Sequence, residues 1–401
     1  MEQTLILTGA QAAAEAARLS RVQVIAAYPI TPQSKIPETL SAYVERGVLQ
    51  AQFVRVESEH SAMGVCIAAS IAGARAFTAT SANGLAYMHE QLHWAAGSRL
   101  PIVMPVANRG VAAPWTILND CQDTISQRDT GWMQIYCMNN QEALDLVVVA
   151  FKAAEQLLIP CMVCFDGFLL SHTFMPVSML GQEDVDSYLP PYVPFHTLDA
   201  DNPVNINPVI TSDPIADPDG VMSPGYMGIR FRLQKSLEEA LPVLRQAGRE
   251  FGEIFGRSYE DPLFRYRTED ADFVFVAMGA LAGEASEAAD ALREKGVKAG
   301  VLGVRVYRPF PAAELYEALC GRRVAAVIEK AISYGYEGAL SSEIKASFYA
   351  KSGPAPAITN YIVSLGGKDV AAADLIQVAT ESIAAAKSGT VSDRARWLGF
   401  E

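Results

Sequence analysis

The chain has little that would fasten it to a membrane or a nucleic acid. No run of about 18 apolar residues suggests a membrane span. Lys and Arg number 32 against 45 Asp and Glu, for a net charge of −13. Sequence-independent grip on nucleic acid needs clustered cations that displace counterions, and an anionic bilayer repels an acidic surface, so neither is an expected partner. The N-terminal MEQTLILTGAQAAAEAA lacks the basic start and cleavage pattern of a secretory signal, which makes the cytoplasm the expected location. Cysteine is scarce: there are six, and only Cys161 and Cys164 stand close together. They sit in LLIPCMVCFDGFLL, an apolar run that reads as a buried strand. Two small core hydrophobes are the plain reading of that pair, a metal or redox site the other. No ferredoxin-type cysteine run occurs, so iron–sulfur clusters, if the protein uses them, belong elsewhere.

What is present is apolar material and glycine. Half of the 401 residues are hydrophobic and 29 are glycine, enough for two or three domains at roughly 150 residues each. Through 1–170, short β-branched runs alternate with helical patterns: strands at 23–27, 52–56, 75–80, 101–107 and 161–166, helices at 9–20, 35–47, 58–73, 83–96 and 141–158. Such alternation predicts βαβ units and a parallel sheet covered on both faces. Ligands collect at the carboxyl ends of strands in such sheets, which places YPITP (28–32), ESEH (57–60), TSANG (80–84) and ANRGVAAP (107–114) at one rim. Between 190 and 224 there are eight prolines; neither helix nor central strand persists there, and the stretch reads as a functional loop or inter-subunit arm. A helix follows over about 227–256. A second α/β unit begins near 270, with strands at 271–280, 299–311 and 323–330 and a helix at 338–350. The expected division is 1–185, 186–260 and 261–401.

Several side chains are candidates for chemistry. Glu59 lies where a strand meets a helix of small, buried residues. There it favours the positive end of the helix dipole, or is an exposed loop charge as Glu57 could also be, or is a carboxyl held in poorly solvated surroundings where it exchanges a proton with a bound ring nitrogen. Arg109 follows a strand; it is a surface charge or a clamp whose planar fork takes a carboxylate through two hydrogen bonds. Thr31, beside two prolines, is a turn hydroxyl or a small donor and acceptor. His89 and His93 with Glu90 spell HExxH, formally a zinc-protease pattern, but no third ligand is in view and no metal ligand is assigned to this chain.

YPITPQS, RVESEHSAMG, FTATSANGLAYMHEQLHWAAG, RLPIVMPVANRGVAAP, NDCQDTISQRDTGWMQIY and NNQEAL, followed by GREFGEIFGRSY, VAMGALAG, VRVYRPFP and NYIVSLGGKD, resemble in order the alpha subunit of 2-oxoacid:ferredoxin oxidoreductases, pyruvate:ferredoxin oxidoreductase (pyruvate synthase) foremost. The resemblance covers nearly the whole chain. It implies a pyrimidine-type thiamine diphosphate-binding parallel-sheet domain followed by a transketolase C-terminal-like α/β domain. It implies that Glu59 hydrogen-bonds the cofactor's aminopyrimidine nitrogen and promotes the tautomer that generates its nucleophile. Pro29, Ile30 and Asn83 would also contact the cofactor; Arg109 would bind the substrate carboxylate, and Thr31 that carboxylate or the 2-oxo oxygen. Electrons would pass through [4Fe-4S] clusters on partner subunits to ferredoxin, with the acyl group going to coenzyme A. The usual Gly-Asp-Gly anchor for Mg²⁺ and diphosphate is missing here, so a thiamine diphosphate-binding beta subunit should supply it, beside gamma and ferredoxin-like delta subunits or fused equivalents. Two positions depart from the family pattern: Asn83, where Gln is commoner, and Trp115, where a smaller aliphatic is usual. An indole at 115 is expected to overhang the substrate and shrink the pocket, favouring pyruvate over branched-chain 2-oxoacids, while oxalate would call for an extra cation. A beta subunit of a lipoamide-linked 2-oxoacid dehydrogenase shares this domain pair, and a non-catalytic scaffold subunit is the remaining alternative.

Overall fold

A computed structural model describes residues 3–111, 113–194, 215–216, 222–223 and 225–400. Most of the proline-rich stretch expected to form an arm lies outside the described residues.

The N-terminal half is a seven-stranded sheet. Its spatial order is Val306–Arg308, Met133–Tyr136, Cys161–Asp166, Val103–Asn108, Ala76–Phe77, Val24–Ala27 and Gln52–Arg55. All neighbours pair in parallel except the first two. The central strands Val103–Asn108 and Cys161–Asp166 are buried along their whole length, as a sheet covered on both faces requires. The alanine-rich helix Gly9–Leu19 and the helix Asn140–Leu157 pack on one face. Thr8 and Gln11 close a reciprocal capping box on the former. The second sheet runs Leu263–Tyr266, Ala299–Val304, Phe273–Ala277, Val324–Glu329, Ala357–Ile362 and Arg396–Trp397, with only the first pair antiparallel. The α/β class and the parallel sheets read from the sequence are therefore borne out.

Three expected elements divide. The helix of 83–96 is two, Ala82–Tyr87 and His89–Gly97, broken at the buried Met88. The helix of 227–256 is Gly225–Glu238 and Ala240–Phe255; Pro242 has no N–H to donate and is tolerated only in a first turn, so a new helix starts just before it. The run 299–311 splits at Arg305, whose guanidinium reaches Glu142 (2.9 Å) and the Asp261 carbonyl (2.8 Å). That turn carries Val306–Arg308 across to the edge of the first sheet, antiparallel to Met133–Tyr136. One apolar core runs through both halves.

The carboxyl ends of the two sheets face each other. There Lys330 Nζ meets Asp166 Oδ1 at 3.0 Å, both side chains 2% exposed. Asp166 also accepts from Asn119 Nδ2 (2.6 Å) and the Ala280 backbone (2.8 Å). Burial works against the Lys330 charge, and attraction to Asp166, joined by Cys121 and Glu284, offsets it, leaving the pKa above the ordinary lysine value.

Candidate active site

Four strand-to-helix loops converge at one rim. Gln52–Arg55 leads to the helix Glu59–Ile71, which Ser58 caps by accepting from the Ser61 backbone. This geometry separates the candidate Glu59 from its neighbour Glu57. Glu57 is exposed and takes the Ser61 hydroxyl, which lowers its pKa. Glu59, in the first helical turn, is buried at 8% exposure. Among the described residues no hydrogen bond or ion pair engages its carboxylate. Space for it exists because residue 84 is glycine: a Cβ there would stand 2.7 Å from Glu59 Oε1 and 2.5 Å from Thr80 Oγ1. Thr80 is itself fully buried, and its hydroxyl has no partner.

Arg109 emerges from the end of Val103–Asn108 and is buried. Its Nη1 donates to the Thr31 carbonyl at 2.7 Å and its Nη2 to Asn83 Oδ1 at a long 3.4 Å. Nε is buried with no partner, so the fork retains donors for a further acceptor. The structure thus brings Arg109, Thr31 and Asn83 together, and Gly84 joins that group to Glu59. The YPITP turn is braced from behind by the buried Gln33, whose Nε2 donates to the Tyr28 carbonyl at 2.9 Å. Pro29 and Thr31 are exposed and Ile30 half-buried on that turn.

Trp115 does not join them. It is 88% exposed, on a loop that also presents Ile117 and Leu118 to solvent. The Gly110 N–H to Leu118 carbonyl bond (3.0 Å) closes this loop, and in this chain alone Trp115, Ile117 and Leu118 are exposed.

Two family models match: pyruvate flavodoxin/ferredoxin oxidoreductase, thiamine diphosphate-binding, over residues 15–219, and pyruvate:ferredoxin oxidoreductase core domain II over 271–375. Ketoisovalerate oxidoreductase subunit VorA of Pyrococcus horikoshii is 47% identical over 393 residues, 98% of this chain and 97% of that protein. Pyruvate synthase subunit PorA of Pyrococcus furiosus is 45% identical over 398 residues, covering 98% and 97%. The chain belongs to the 2-oxoacid:ferredoxin oxidoreductase family. Within that family, a 2-oxoglutarate:ferredoxin oxidoreductase from Magnetococcus marinus, solved with 2-oxoglutarate, coenzyme A and succinyl-CoA bound, shares the fold at TM-score 0.72 and 19% identity. The match covers 95% of this chain and 66% of that one.

One further residue of the candidate site is not singled out by the sequence. Asp123 lies in the quoted NDCQDTISQRDTGW segment, yet it looks there like one more helix-start acid. It is 1% exposed. Its Oδ2 accepts from the backbones of Ala82 and Arg109, each at 3.0 Å, and its Oδ1 from Asn108 Nδ2 and the Thr124 backbone, each at 2.8 Å. Burial pushes its pKa up to about 6, against the pull of those four donors. The other motifs supply less. Cys161 and Cys164 are fully buried on their strand, their thiol pKa values raised by burial, as expected of core residues. His89 and His93 stand edge to face, and His89 Nδ1 is occupied by Gln127 Oε1 at 2.5 Å. Among the described residues no group of three His, Cys, Asp or Glu could hold a metal.

The close approach at Gly84 has a direct consequence. Gly84→Ala is expected to lower turnover of the assembled enzyme at least tenfold, because the methyl must displace the Glu59 carboxylate. The methyl also presses on the buried Thr80 hydroxyl at 2.5 Å, so the thermal midpoint should fall, though alanine's better helix propensity, about 1 kcal/mol, offsets part of the loss. Full activity in the alanine variant would show that the carboxylate has freedom to move aside.

Proposed function

We propose that this chain is the alpha subunit of a thiamine diphosphate-dependent oxidoreductase. In this reading it oxidatively decarboxylates pyruvate to acetyl-CoA and CO₂, its electrons passing through iron–sulfur clusters on partner subunits to ferredoxin. The observation that carries the reading is the Glu59 carboxylate: buried, without a partner among the described residues, and given room by a glycine. A ring nitrogen of a bound aminopyrimidine fits that need, and the orphaned Thr80 hydroxyl beside it adds a second polar atom. Thiamine diphosphate supplies the carbon nucleophile and the electron sink; its diphosphate and Mg²⁺ would be held by a partner subunit, since this chain lacks the anchor motif. Glu59 holds and moves the proton at the ring nitrogen. Arg109 binds the 2-oxoacid carboxylate through its unused donors, and Thr31 and Asn83 fix the direction of the guanidinium. Pro29 and Ile30 shape the cofactor side of the turn. The soluble complex would work in the cytoplasm.

Branched-chain 2-oxoacids are the second reading. It is favoured by the exposure of Trp115 and by a 47% identical relative named for ketoisovalerate. The two differ by methyl groups, worth roughly 10–200-fold in selectivity in an apolar pocket. Viologen reduction by the anaerobically purified complex should therefore show at least a tenfold higher kcat/KM for pyruvate than for 2-oxoisovalerate, dependent on coenzyme A. The reverse order would establish the branched-chain reading. Oxalate turnover without coenzyme A would keep the site and change the substrate, and lipoamide-linked activity would displace both readings.

A further inference from the structure

The Arg109 clamp and the turn behind Glu59 belong to loops from two different strands, yet a single carboxylate oxygen holds the roots of both. Asp123 Oδ2 takes the backbone N–H of Ala82 and of Arg109, each at 3.0 Å. Ala82 needs such a hold: its φ is +43°, a left-handed conformation that a residue with a Cβ adopts only when its surroundings impose it. From Ala82 the chain passes directly to Asn83, whose Oδ1 faces Arg109 Nη2, and to Gly84, which abuts Glu59. The other oxygen of Asp123 is tied to Asn108 and Thr124. Asn108 is the last residue of its strand, so the carboxylate is referenced to the rigid sheet and not only to the loops. All four groups pointing at it are N–H donors, so an acceptor-only carboxylate matches the site and an amide does not.

We propose that Asp123 is the positioning residue of the substrate clamp: it fixes the Arg109 loop and the Ala82–Gly84 turn in one frame, so that the guanidinium meets the 2-oxoacid carboxylate at a set distance from the reacting carbon. This rests on the reading of Arg109 given above. Positioning is worth this much because a displacement of about 1 Å can cost a hundredfold in rate, and among the described residues Arg109 has only the Thr31 carbonyl and a long contact to Asn83 to steady its fork.

The test compares substrates with and without a carboxylate in the assembled, anaerobically purified complex. Pyruvate must engage Arg109. Acetaldehyde has no carboxylate; its two-electron oxidation to acetyl-CoA by two viologens needs the rest of the site but not the clamp. In Asp123→Ala the pyruvate-to-acetaldehyde ratio of kcat/KM should fall at least tenfold, chiefly through a higher KM for pyruvate. Calorimetric affinity for oxamate, a non-reacting isostere of pyruvate, should weaken by a similar factor. Asp123→Asn keeps one oxygen, and the Asn108 amide, whose Oδ1 is unpartnered, can turn over to meet it. That variant should shift the ratio less, by about threefold or more, and it decides the matter if the alanine variant does not assemble. Equal losses on both substrates with oxamate binding unchanged would reduce Asp123 to a structural residue and overturn the proposal. A wild-type complex that binds no oxamate and oxidises neither substrate would instead remove the proposed function, and the positioning role with it.

Discussion

Glu59→Ala should abolish at least 99% of 2-oxoacid-dependent viologen reduction while the subunits stay together. General acid–base groups contribute roughly 10²–10⁴-fold, and under the proposed function the neighbouring carboxylate is a poor substitute: Glu57 is exposed and engaged by Ser61. The same substitution should leave stability unharmed. The carboxylate has no hydrogen-bond or ion-pair partner among the described residues, so its removal breaks no bond. Glu59→Gln should be nearly as inactive, since the amide fills the space but cannot carry the proton. Turnover assays with size-exclusion of the complex check both halves. Normal turnover in the alanine variant would return the chain to the scaffold alternative.

The largest stability effect should come from Lys330→Met. The Lys330–Asp166 pair is almost wholly buried where the two sheets meet, and breaking such a pair leaves a charge without its counter-ion, typically at a cost of about 3–5 kcal/mol. Asn119 and the Ala280 backbone still donate to Asp166, which places the expected loss nearer the lower figure. The double variant Asp166→Asn with Lys330→Met should recover part of it, because no ion is then buried alone. Unfolding midpoints of wild type, both single variants and the double variant form the cycle. Strictly additive losses would mean that the pair acts as two independent hydrogen-bonding groups.

Much of the fold was legible from pattern. Continuous apolar runs such as PIVMPVA and CMVCF, alternating with helical segments, are what a parallel sheet buried on both faces needs, and the rim loops followed from that. The candidate site was legible as a set of positions, less so as an arrangement. Glu57 and Glu59 differ by two residues, and only the helix start, set by the Ser58 cap, decides which of them turns inward. Asp123 carries little local signal because three of its four donors are backbone N–H groups, which have no residue-type signature. Lys330 carries little because its partner lies 164 positions away, and nothing local in VIEKA distinguishes a buried ammonium from an exposed one. Trp115 is legible only as a large apolar side chain on a rim loop: its size suggests an inward lid, whereas in this chain alone the indole is 88% exposed.

The crossing of Val306–Arg308 to the first sheet has a consequence for how the protein can be divided. Met133–Tyr136 has Cys161–Asp166 on one flank and this borrowed strand on the other. A fragment ending anywhere before residue 306, however well its helices and remaining strands form, would present Met133–Tyr136 as a raw edge with unpaired backbone groups and an apolar face. Such edges invite pairing with another chain. The N-terminal half is therefore not a detachable module: its sheet is finished by the half that follows it, and cutting between them would trade an enzyme subunit for an aggregation seed.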